Sequence, residues 1–137
     1  MYTKIMVPVD LAHVERLDKA IVIAGDLARR YGASVVFVAV TPEAPSEVAH
    51  NPAEFAAKLH AFGAAQAERS GLAVDTASYA SHDPAVDLNK TLLNAAREQD
   101  CDLIVMASHT PGLPEHIFAS HAGAVASHAA ISVFVVR

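Results

Sequence analysis

Three short stretches of this chain are apolar almost from end to end: KIMVPV near the start, SVVFVAV from Ser34, and DLIVMA from Asp102. Successive side chains of a strand point to opposite faces, so a half-exposed strand alternates apolar with polar residues. Runs without alternation read as strands buried on both faces, as in a parallel sheet with helices above and below it. No window of eighteen or more unbroken apolar residues occurs, which excludes a membrane-spanning helix.

Between the runs the period changes to that of a helix. Leu17, Ile21, Ala24, Ala28 and Tyr31 fall on one face, and Gly32 stands where a C-cap belongs. A second helix has a start signal in Asn51, Pro52 and Glu54, an apolar stripe of Phe55, Leu59 and Phe62, and an end at Gly71. LAVDTASYA alternates like an edge strand. After it Asp83 and Pro84 open a third helix that turns Leu88, Leu92 and Ala95 inward. A short helix is expected over 120–129, and SVFVV closes the chain as a strand. The order β-α-β-α-β-α-β-α-β predicts an αβα sandwich with five mainly parallel strands in the order 3-2-1-4-5 and two helices on each face. Ligands are expected beyond the carboxyl ends of the strands where the winding reverses, at a site built from PVDLA after the first strand, VTPE after the second and the loop ASHTPGLPEHIFAS after the fourth.

With 137 residues, 53% of them hydrophobic, the chain is read as one domain over 1–137. Its net charge is −5 and its longest basic run is ARR, so no nucleic-acid partner is expected. MYTKIMVPVD goes directly into a strand pattern with no sign of a signal peptide, which places the expected location in the cytoplasm. Cys101, the single cysteine, can form no internal disulfide and reads as a buried, inert thiol. The segment TPEAPSEVAHNP after the second strand reads as a mobile loop.

KIMVPVD, DLIVMASH and ASHAGAVASHAAISVFVVR together resemble the universal stress protein (UspA) family over essentially the whole chain. The resemblance implies a Rossmann-like fold, an adenine-nucleotide site and a homodimer formed through the C-terminal strand. SVFVV points the same way, since a bare apolar edge invites pairing with its own copy. Family members that bind ATP carry G-x-x-G-x9-G-[ST] after the fourth strand. Here the glycine positions correspond to Ala107, Thr110 and Ala119, Ser120 matches the [ST], and the spacer over 111–118 is one residue short. The sequence thus resembles a subgroup with an ASHxP form of the loop.

By the same resemblance Asp10, at the end of the first strand, would meet the ribose hydroxyls or an associated Mg²⁺, with Pro8 and Val9 shaping that wall and Val40 presenting its backbone to the adenine edge. An Asp in this place also serves simply as a cap for the following turn, and Val40 as sheet core. Met106, Ala107, Ser108, His109, Thr110, Ala119, Ser120 and His121 would form the phosphate side. A phosphate is held by converging backbone N–H groups at a helix start, and Pro111 and Pro114 supply none. His13, His109, His116 and His121 could be imagined around a metal, but their spacing matches no compact ligand motif, and no metal site is expected. His128 reads as a structural hydrogen-bonding residue. The G-x-S-x-G elbow, paired receiver acids and an S-G-G-x-D-S motif are all missing, so no catalytic residue is assigned. The expected function is a stress-response or signalling module binding ATP or another adenine nucleotide, with at most slow hydrolysis or self-modification. The alternative is a nucleotide-free dimeric partner-binding or regulatory module.

Overall fold

The computed structural model describes residues 1–108 and 121–137. Its elements run β1 (Lys4–Pro8), a 3₁₀ turn (Leu11–Arg16), α1 (Asp18–Tyr31), β2 (Ser34–Pro42), α2 (Pro52–Ser70), β3 (Val74–Ser81), α3 (Pro84–Glu98), β4 (Leu103–Ala107), α4 (Ala122–His128) and β5 (Ser132–Val136). The five strands form one sheet in the order β3-β2-β1-β4-β5, and every neighbouring pair is parallel. The 3-2-1-4-5 order read from the sequence is the order observed.

The apolar runs are buried as their lack of alternation requires. Ile5, Met6, Val7, Val36, Val38, Ile104, Val105 and Met106 have essentially no exposure. Side chains of the two faces separate into two cores. Ile5, Val7, Val35, Phe37, Leu103 and Val105 pack with α1 and α2, while Met6, Val36, Val38, Ile104 and Met106 pack with α3 and α4. Apolar burial of this kind contributes on the order of 25 cal/mol per Å² and is what holds the layers together.

Helix ends follow the cap chemistry. The Asn51 side chain accepts from Glu54 N at 2.8 Å, and Gly32 and Gly71 close α1 and α2 at φ of 67° and 70°. In a full capping box the Glu54 carboxylate would reach back to the cap residue, but it bonds one position upstream, to the His50 backbone N–H at 3.2 Å. Asp83 precedes α3 without a side-chain cap bond. α4 runs from Ala122 to His128, so His121 and Ala129 of the helix expected over 120–129 are its flanking residues, and Ser120 lies outside the described residues. Gly63 serves close packing, since a Cβ there would stand 2.3 Å from Thr76 Cγ2 on β3. Among the described residues no helix is long and apolar enough to cross a membrane.

Candidate functional site

β1 stops at Pro8 while β2 continues to Pro42, so the sheet is notched at the carboxyl end of its central strand. Val9 N donates to Val38 O at 2.8 Å, which turns the peptide edge of Val38 toward β1. Peptide groups two residues apart on a strand face the same side. The N–H and C=O of Val40 therefore also face β1, where no β1 residue stands opposite in register. A donor and an acceptor are left side by side at the notch.

The notch opens into a cavity of about 230 Å³. Its walls come from Val9, Asp10, Leu11 and Ala12 after β1, from Val40 and Pro42 of β2, from Ser46, Glu47 and Val48 in the following loop, and from Phe55, Pro84 and Leu88 on α2 and α3. Sequence reasoning named Val9, Asp10 and Val40 among these, placed Leu11, Ala12 and Pro42 at the site within the stretches PVDLA and VTPE, and missed Ser46, Glu47, Val48, Phe55, Pro84 and Leu88. The loop after β2 is tied in place. Ser46 Oγ accepts from Val48 N and Ala49 N at 3.3 Å, and the Lys58 ammonium donates to the Val48 carbonyl. The His50 side chain and then its backbone N–H lower the carboxyl of Glu54 from its usual 4.5, with a smaller contribution from Lys58.

Asp10 performs the cap role and lines the cavity as well. Its Oδ1 accepts from Ala12 N at 3.1 Å and its Oδ2 lies 3.0 Å from His13 Nδ1. The carboxylate is 15% exposed, so both bonds hold it in one orientation at the cavity wall. Pro8 is buried at the end of β1 and does not line the cavity. Met106 is fully buried in the core with α3 and α4, a packing position where sequence reasoning had placed a ligand contact. Ala107 ends β4, and Ser108 N donates to Val136 O at 2.6 Å, extending the β4–β5 pairing. His121 Nδ1 meets Asn89 Oδ1 on α3 at 2.7 Å. None of Ala107, Ser108 and His121 lines the cavity. The assignments to His109, Thr110, Ala119 and Ser120 fall outside the described residues, as do Pro111, Pro114 and His116. Among the described residues no three His, Cys, Asp or Glu side chains converge as metal ligands would.

A pocket with apolar walls, one oriented carboxylate and one open peptide edge suits a flat polar heterocycle carrying hydroxyl groups. Known proteins share this fold. Universal stress protein G of Salmonella typhimurium is 29% identical over 146 residues, with 100% of each chain covered. The solved universal stress protein from Archaeoglobus fulgidus superposes with a TM-score of 0.74 at 20% identity, again over 100% of both chains. A structure of the Archaeoglobus protein in complex with dAMP gives 0.70 at 19% identity, covering 99% of this chain and 98% of that one. At these identities the structural likeness is one of fold. The model of the universal stress protein family matches residues 1–137, and the chain belongs to that family.

Proposed function

We propose that this universal stress protein binds an adenine nucleotide in the cavity at the carboxyl ends of β1 and β2, as a stress-response or signalling module without efficient turnover. The observation that carries the reading is the pairing of Asp10 with the open peptide edge of Val40 across one cavity. Val40 offers a donor and an acceptor to the edge of the base, and Asp10 offers carboxylate lone pairs to the ribose hydroxyls. A fold neighbour solved with dAMP supports the nucleotide class. Mg²⁺ would find Asp10 as its one carboxylate at the inner wall. The site works in a single domain over 1–137, in the cytoplasm, on this reading.

Thermal unfolding with and without AMP and ATP tests it. A site filled to 100 times its dissociation constant stabilises by about 2.7 kcal/mol. Asp10→Ala should remove most of that shift, and the absence of any shift with millimolar adenosine, AMP or ATP would hand the protein to the nucleotide-free alternative.

The same reading includes a homodimer through β5. This strand is the sheet edge beyond β4, and its Phe134 is 43% exposed. An exposed aromatic on an open apolar edge is a pairing surface. Sedimentation of Phe134→Lys at micromolar concentration should give monomers where the unmodified chain gives dimers.

A further inference from the structure

Once a nucleotide is placed in the cavity, the charges around it decide how many phosphates it can carry. Among the described residues the ionisable side chains that line the cavity are Asp10 and Glu47, with no Lys, Arg or His. The adjoining hollow shares Leu11, Ala12, Glu47 and Val48 and adds Lys58. That ammonium is bonded to the Val48 carbonyl and stands 3.4 Å from Glu54 Oε1. Arg16 lines neither hollow, and its Nε lies 3.7 Å from Glu15 Oε1.

We infer that the site takes a nucleoside monophosphate in preference to the triphosphate, with Asp10 at the wall and Glu47 at the rim setting the preference. The inference rests on the nucleotide reading above and narrows it. Like charges repel more strongly near a low-dielectric wall than in water, and each added phosphate brings further negative charge toward the two carboxylates. Glu47 is exposed, so its share of the repulsion is the part that salt screens most readily.

Calorimetric titration of the full chain with adenosine, AMP and ATP, at low salt with a chelator present, tests this. Adenosine and AMP should bind, and ATP should bind about tenfold or more weakly than AMP. The gap should narrow at high salt, where the screening length falls from about 10 Å at 0.1 M to about 3 Å at 1 M. Glu47→Gln should raise ATP affinity by about threefold relative to adenosine. ATP binding as tightly as AMP while adenosine still binds would overturn the selectivity and leave the nucleotide reading standing. An AMP–ATP gap unmoved by both salt and Glu47→Gln would overturn its electrostatic cause. No heat from any of the three ligands would remove the site and the selectivity together.

Discussion

Asp10 and Asp102 stand at opposite ends of the central strands, each next to an apolar run, and they do different work. Asp102, just before β4, gathers donors from far along the chain: Thr3 N at 2.9 and 3.1 Å, the Thr3 hydroxyl at 3.0 Å and Lys4 N at 3.1 Å. Its own N–H donates to Lys4 O at 3.0 Å. The amino end of β1 is thereby stapled to β4. Among the described residues the Asp10 carboxylate reaches Ala12 and His13, both within its own turn, and it faces a cavity. One end of the sheet has its polar groups closed on one another, and the other presents them. This is the division expected of a parallel α/β sheet, in which ligands gather at the carboxyl ends of the strands.

The largest effect expected from breaking this contrast is on stability at the stapled end. Asp102→Ala leaves the Thr3 and Lys4 N–H groups without their acceptor. Hydrogen bonds to a charged group are worth about 1.5–3 kcal/mol, and solvent at this part-exposed site discounts the total, so a loss of about 2 kcal/mol is expected. Urea unfolding measures it. Nucleotide affinity of the folded variant should stay within twofold of the unsubstituted chain, about the scatter of such titrations. A large loss of affinity there would mean that the two ends are coupled and the contrast is false.

The staple should also show a pH signature. Burial pushes the Asp102 carboxyl up, but the bonds from Lys4 N, Thr3 N and the Thr3 hydroxyl outweigh it and hold the group below its ordinary 3.8. A carboxyl depressed in the folded state stabilises above its unfolded pKa and loses that contribution as pH falls through the folded one. The stability difference between the unsubstituted chain and Asp102→Asn should therefore be flat above about pH 5 and shrink as pH falls below about 4. A difference that grows on acidification would reverse the sign and refute the staple.

How much of this was legible in the sequence depends on the range of each signal. The three buried runs, the Asn51 cap and the Gly32 and Gly71 ends are local patterns, and each is where the sequence puts it. The Asp102 staple joins residues 98 and 99 positions apart, which no local pattern records. Met106 was assigned to the site from the sequence, and alternation along β4 turns its side chain into the core with Leu88 and Leu92. Ser46, Glu47 and Val48 went unread because they reach the cavity through a loop fold. The one local hint was Ser46 two and three residues before the N–H groups that it caps.

At the presenting end the expected stability effect is smaller. Asp10→Ala removes the acceptor for Ala12 N and a partner of His13, a cap-like loss of about 1 kcal/mol. Its main consequence should be on binding, where the ribose loses its carboxylate. Urea unfolding and AMP titration of the same sample separate the two effects. A variant that loses more stability than Asp102→Ala while keeping AMP affinity would place Asp10 among the structural residues and dissolve the contrast.

The smallest effect belongs to Cys101, which shares the stapled end with Asp102. Burial, before any charge, pushes the thiol up to about 11, with the Lys4 cation opposing and the Asp102 and Asp100 carboxylates adding to the rise. A thiolate is the reactive form, and at pH 8 a group with such a pKa is ionised only to about one part in a thousand. The native protein should therefore show no measurable reaction with a disulfide reagent over the time in which the urea-unfolded chain reacts completely. Asp102→Asn removes one of the neighbouring negative charges and also loosens the β1–β4 junction, so its thiol should react slowly but detectably while the chain remains folded. A native thiol that reacts as fast as the unfolded one would show that the amino ends of the strands are open, and the two ends of the sheet would then no longer differ in the way that Asp10 and Asp102 suggest.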